Sequence, residues 1–330
     1  MIEKIFRSIS LRVPITVALA MVTLVAPALA QMKLREELIS RQKEGGYGLA
    51  GFGNGSVFIA DFTRKEGWMG EKLSPPADRA RYGLLSHDGT MIALSFFNSA
   101  LGKGSWNTLG IAQRDGSGLQ EYANLTDASC WSPDSKHLVV TAAAAQTADF
   151  QQMVLHVESG SLEQIDLPSR AGLTSQCFSP DGRKIVYYVM DHDSPPWNSK
   201  RKEPPNWGTI FIYDMAEKKQ HEIGTGQYPT WSPDGEWIAY WNKDVYYRMR
   251  PSGQERSRLF KYKDPEWPLF WSPDSRLILH FRCCYFWPTL QCMCEVGRWF
   301  VRRLSDHSEI RVAEESPYDS EYVWIKSRTR

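Results

Sequence analysis

The chain has 330 residues, six of them cysteine, and a formal net charge of +1 at pH 7. Near-neutral charge leaves no global field to draw nucleic acid or an anionic membrane surface, so neither is expected as a partner. Thirteen Trp with fourteen each of Tyr and Phe suit strands packed face to face, or a binding surface.

Lys4, Arg7 and Arg12 flank the start of an apolar stretch from Val13 to Val25, and Ala28-Leu29-Ala30 follows as a small-residue cleavage site. This layout predicts a secretory signal peptide over 1–30, with one domain over 31–330 that begins near Gln31. The apolar run is shorter than the roughly 20 residues a spanning helix needs, so no stable membrane insertion is expected after cleavage. The expected location is the periplasm or the exterior.

Residues 47–52 and 56–62 read as a second and a third strand, with 71–73 as an outer one. A repeat then begins. Leu84-Leu85-Ser86-His87-Asp88-Gly89 is followed by Cys130-Trp131-Ser132-Pro133-Asp134-Ser135 and Cys177-Phe178-Ser179-Pro180-Asp181-Gly182. Thr230-Trp231-Ser232-Pro233-Asp234-Gly235 and Phe270-Trp271-Ser272-Pro273-Asp274-Ser275 complete the set. A spacing of roughly 40–53 residues matches four-stranded propeller blades and is too long for most helical repeats.

Each unit has readable physics. An apolar residue ends one strand, Pro fixes φ and removes a donor that a strand would need, and Asp-Gly or Asp-Ser makes the tight turn. Apolar second strands follow at 91–94, 138–140, 184–188, 237–241 and 277–281, with third strands at 108–111, 153–157, 209–213, 245–247 and 299–301. The stretch 320–325 reads as a lone inner strand. Joined to the N-terminal strands it gives an all-β, six-bladed β-propeller of four-stranded antiparallel blades, whose last blade is shared between the chain ends. Five blades with loose ends is the competing count.

The aromatic-Ser-Pro-Asp-Gly turn followed by a short apolar strand resembles the TolB-like, WD-repeat-related propellers of bacterial envelopes. The resemblance covers most of residues 31–330, and His87 in place of Pro is the one departure in the central Ser-Pro-Asp. TolB carries an α/β domain before its propeller, whereas little chain separates Gln31 from the first strand here. The resemblance therefore implies a solitary propeller and does not bring TolB's partners with it.

Asp88, Asp134, Asp181, Asp234 and Asp274 are assigned to turn chemistry rather than catalysis. Cys283, Cys284, Cys292 and Cys294 flank the second-to-third strand connection of blade five and suit one or two disulfides in an oxidising compartment. A soft-metal site is the alternative, but neighbouring Cys283 and Cys284 would point to opposite faces of a strand. Cys130 and Cys177 hold equivalent places in consecutive blades, with buried free thiols as the default and an inter-blade bridge as the alternative. The seven histidines show no ligand spacing, and no Gly-x-Ser-x-Gly elbow occurs. No metal or cofactor is expected.

The main irregularity is the connection 190–208 in blade three. It carries Asp191-His192-Asp193, Trp197, the basic run Lys200-Arg201-Lys202 and Trp207. Long connections in compact domains are functional or disordered. This one shares a rim with the Cys-rich hairpin and with the connection near 98–106, which makes a docking face for an envelope or extracellular protein, a peptide or a glycan. The competing reading is a solvated insertion whose Trp residues cover blade edges. A secreted propeller enzyme, a lyase or hydrolase of polysaccharide or peptide with its site in the channel, is the alternative function.

Overall fold

The computed structural model describes residues 15–44, 47–53, 55–63, 68–97, 107–122, 124–143, 150–168, 171–174, 176–190, 208–261, 269–282, 298–312 and 322–326. A helix, α1 (Ile15–Lys43), leads into β1 (Tyr47–Gly53), β2 (Ser56–Ala60) and β3 (Trp68–Lys72). Blade one is β4 (Tyr82–Leu85), β5 (Met91–Phe97), β6 (Asn107–Gln113) and β7 (Gln120–Tyr122). Blade two is β8 (Leu125–Trp131), β9 (His137–Ala143), β10 (Phe150–His156) and β11 (Ser161–Gln164). Blade three is β12 (Ala171–Gly172), β13 (Lys184–Val189), β14 (Thr209–Asp214) and β15 (Lys219–Thr225). Blade four is β16 (Gln227–Trp231), β17 (Ile238–Asn242), β18 (Val245–Met249) and β19 (Ser257–Lys261). Blade five is β20 (Phe270–Trp271), β21 (Leu277–Arg282), β22 (Arg298–Arg303) and β23 (Glu309–Arg311), and β24 (Tyr322–Lys326) ends the strand series.

These strands form six four-stranded antiparallel sheets, so the six-bladed architecture expected from the repeat is borne out. The second strand of each blade lies between two strands and two neighbouring blades, which is why it reads as a continuous apolar run rather than an alternating one. In β21, for example, every residue from Leu277 to Phe281 is buried, His280 included.

Blade six has the order β24-β1-β2-β3. Trp324 faces Leu49 in the ladder, as Trp131 faces Leu138 in blade two and Trp271 faces Ile278 in blade five. Trp324 therefore takes the place held by Trp131, Phe178, Trp231 and Trp271 before the turns of blades two to five. The turn that would follow it is missing because the two chain ends meet there. Its indole Nε1 donates to the Phe270 carbonyl of blade five at 3.1 Å. The same bond runs from Trp131 Nε1 to the Leu84 carbonyl between blades two and one, at 2.9 Å.

The helix that precedes β1 spans Ala28-Leu29-Ala30 and continues beyond it. Its later turns pack on the propeller: Leu34 and Leu38, one turn apart, are fully buried against Leu49, Phe62, Val301 and Trp324. Arg35 Nε donates to the Phe62 carbonyl at 3.0 Å, while Arg41 pairs with Glu37 and with Asp274, and Glu37 pairs with Arg303. The helix thus joins blade five to blade six. Among the described residues no helix is long and apolar enough to cross a membrane.

Candidate functional site

The two rims of the ring differ, beginning with the Ser-Pro-Asp turns. In all five copies the buried serine donates its hydroxyl to the aspartate Oδ1 at 2.5–2.7 Å. The same Oγ accepts the N–H of the residue five positions on at 2.9–3.0 Å. The aspartate also accepts a backbone N–H two residues on. At Asp181 the Ser179 bond leads in holding the carboxyl below the usual range. At Asp88 and Asp134 burial works in the opposite direction, and hydrogen bonds from the serine and the following N–H outweigh it. In each copy Oδ1 serves the turn, while Asp134 also lies beside His137 Nδ1 and Asp274 also pairs with Arg41. His87 in the first copy is half-buried, and burial pushes its imidazole below the ordinary value against a hydrogen bond with the Trp131 backbone.

The residue after the aspartate takes a left-handed conformation in every copy: Gly89, Gly182 and Gly235, but also Ser135 at φ 59° and Ser275 at φ 58°. A non-glycine residue there costs about 1 kcal/mol. Both serines bind across blades, since Asp88 N–H donates to Ser135 Oγ and Asp234 N–H donates to Ser275 Oγ. Those bonds place neighbouring turns on one rim and offset the backbone cost.

Inside the ring, Gln176 acts as a cross-brace. Its amide donates to the Trp271 carbonyl at 2.9 Å and accepts the Trp271 N–H at 2.7 Å, while its own carbonyl accepts the Trp231 N–H at 3.0 Å. Inner strands leave one backbone edge unpaired, and this side chain pairs it in the manner of a one-residue strand. Blades three, four and five are thereby pinned beside the turn rim. Thr230, also on this inner edge, is fully buried.

Because the turns occupy one rim, second strands end at the other. Their connections are 98–106 in blade one, 190–208 in blade three and 283–297 in blade five, against 144–149, 243–244 and 54–55 in blades two, four and six. Long and short connections alternate around the ring. Lys243 and Asp244 both have positive φ, the two-residue hairpin form, and Asn242 Nδ2 ties this turn to the Thr225 carbonyl at 2.8 Å. On the same rim a cavity of about 230 Å³ opens between blades one and two, lined by Tyr82, Leu84, Ala93, Ser95, Asp127 and Ala128. Tyr82 is 44% exposed, with the Arg81 guanidinium 5.5 Å above its ring. On blade three Met190 is 45% exposed and accepts from Gln227 Nε2, and the rings of Tyr188 and Tyr228 meet edge-on at 5.5 Å.

Asp191, His192, Asp193, Trp197, Lys200, Arg201, Lys202 and Trp207 lie outside the described residues, as do Cys283, Cys284, Cys292 and Cys294. The structure does show their anchors, Val189 with Thr209 and Arg282 with Arg298, as ladder pairs at the rim opposite the turns. The free-thiol expectation for Cys130 and Cys177 is corrected: the two form a disulfide, with Cα atoms 6.0 Å apart. Equivalent positions on adjacent inner strands bring these fully buried sulfurs together.

Two further groupings escaped sequence reasoning. Glu309 on β23 binds His280 Nε2 at 2.9 Å, Arg282 at 2.7 Å and Arg302 at 3.4 Å. Burial alone would raise the Glu309 carboxyl, but the His280 hydrogen bond and the charges of His280 and Arg282 bring it down to about 2. In blade two, His137 and His156 face each other across β9 and β10. Among the described residues no three His, Cys, Asp or Glu side chains already stand as a set that could hold a metal ion.

No protein-family model matches the chain, and no curated protein matches it. Among solved structures it is similar to TolB from Acinetobacter baumannii, with 14% identity, 84% of this chain and 66% of that one covered, and a TM-score of 0.60. A protein described as TolB from Agrobacterium tumefaciens gives 15% identity, 84% and 97% coverage and a TM-score of 0.55. A chain of a nidogen/laminin complex gives 9%, 86% and 100%, with a TM-score of 0.56. The chain thus spans just under two thirds of the length of the Acinetobacter TolB. At these identities the likeness shows the fold, that of TolB-like six-bladed propellers.

Proposed function

We propose that the protein is an exported, non-enzymatic binding protein that docks an envelope or extracellular protein, or a peptide or glycan, on the rim carrying the long connections. The observation that carries this reading is the difference between the rims. One is closed by five turns whose serine and aspartate groups bond one another and the backbone, and by the Gln176 brace just inside it. The other carries the three long connections, with Tyr82 and Met190 exposed beside them. Loops on a rigid scaffold are where recognition residues concentrate. The Cys130–Cys177 bond suits an oxidising compartment, in keeping with the leader-like residues 1–30. In this reading Trp197 and Trp207 are the apolar anchors of the docking face, and Asp191, His192, Asp193, Lys200, Arg201 and Lys202 its polar and charged contacts.

The test is capture from an envelope extract by immobilised protein, comparing wild type with Trp197→Ala and Trp207→Ala. The reading expects loss of a captured protein with thermal unfolding unchanged. Equal capture by all three proteins, or a lowered melting temperature that assigns the indoles to packing, overturns it.

A further inference from the structure

On the rim of the Ser-Pro-Asp turns, far from the proposed docking face, blade two carries a paired arrangement of imidazoles and carboxylates. His137 opens β9 and His156 closes β10, and the two are direct ladder partners. Their ring centroids lie 4.7 Å apart with the planes at 82°. Both side chains are about one third exposed, at 34% and 37%. Each has one nitrogen beside a carboxylate: His137 Nδ1 is 3.5 Å from Asp134 Oδ1, and His156 Nε2 is 3.6 Å from Glu163 Oε2. The opposite nitrogens, His137 Nε2 and His156 Nδ1, are left as ligand atoms.

The backbone under both residues is held firmly. His137 N–H donates to Ser132 Oγ, the His137 carbonyl accepts Ser132 N–H, and the His156 carbonyl accepts Gly160 N–H. Only side-chain rotations are needed to adjust the rings. Two imidazoles on one ion at bond lengths of about 2.1 Å need their nitrogens roughly 3 Å apart, a span open to rings at this separation. Two nitrogens with carboxylates behind them form the donor set of borderline divalent ions, and a carboxylate on the far ring nitrogen orients an imidazole for metal binding. The two carboxylates beside the rings also supply negative charge that favours a dication.

We propose that His137 and His156 bind a divalent transition ion of the copper, nickel and zinc class, with water completing its coordination and Asp134 and Glu163 as the carboxylates that orient the rings. This site is independent of the docking rim.

The experiment titrates Cu²⁺ into chelator-treated, tag-free protein lacking residues 1–30, by calorimetry and electron paramagnetic resonance. Wild type is compared with His137→Gln, His156→Gln and Glu163→Gln. All four share the same cysteines, so the differences report this site. The expected result is one site whose spectrum shows two imidazole nitrogens, falling to one in either histidine variant with affinity lowered at least tenfold. Glu163→Gln should keep both nitrogens and bind about tenfold more weakly. Copper should raise the melting temperature of wild type but not of the histidine variants, while all four melt alike without metal. Equal affinity in wild type and both histidine variants, or a wild-type spectrum without two imidazole nitrogens, overturns the proposal and leaves the pair as turn packing.

Discussion

Trp324→Ala tests whether the sixth blade holds the ring closed. The indole is 3% exposed, packs with Leu34, Leu49 and Trp299, and donates to the Phe270 carbonyl of blade five. Deleting a buried Trp side chain costs about 3–5 kcal/mol, which for a domain of this size lowers the melting temperature by about 8 °C. Trp324→Phe keeps most of the packing and strands the carbonyl, so about 1–2 kcal/mol is expected from it. Removing residues 321–330 should do more than either, because it strips the ladder from Tyr47 to Gly51 and opens an edge along β1. Calorimetric melts of the three variants, with the exposed Met32→Ala as control, give the comparison. A truncated chain that melts within about 2 °C of wild type refutes closure by β24.

Glu309→Gln should cost about 3 kcal/mol at pH 7, since the native carboxyl lies near 2 rather than at its ordinary 4.5. A depressed carboxylate stabilises fully above its unfolded pKa and loses that stabilisation as pH falls through the native one. The gap between wild type and variant in urea unfolding should therefore hold from pH 7 to 5 and shrink from about 4.5 towards 2; a gap independent of pH counts against the assignment. For the disulfide, replacing both Cys130 and Cys177 by Ala should lose about 4 kcal/mol on the chain-entropy estimate for a separation of 47 residues. Full alkylation of both thiols in unreduced wild type, read by mass spectrometry, would remove the basis for that figure.

The repeat was legible because five blades share one local device, an apolar residue, a serine and an aspartate at fixed offsets, and local devices survive in a linear reading. Blade six was visible through the strand-like stretch 320–325. What the sequence concealed depends on register or on distance. His137 and His156 meet only once the β9–β10 hairpin is paired, and Gln176 reaches Trp271 across blade four, a separation of 95 residues that no local pattern encodes. Leu34 and Leu38 are one helical turn apart, but that they cover blades five and six depends on where the helix docks. The double hydrogen bonding of the turn serines appears only when the N–H five residues on is brought back over them. The blade-three residues proposed for docking are distinguished by composition alone.

The break in blade six also decides what can be attached to the molecule. β24 finishes where β1 starts, Lys326 opposite Tyr47, and both lie on the rim of the turns because they replace one. A label, a surface tether or a display fusion joined at either end of the propeller therefore leaves from that rim. A sensor chip loaded this way would hold every copy with the same side towards the analyte, the side with the long connections.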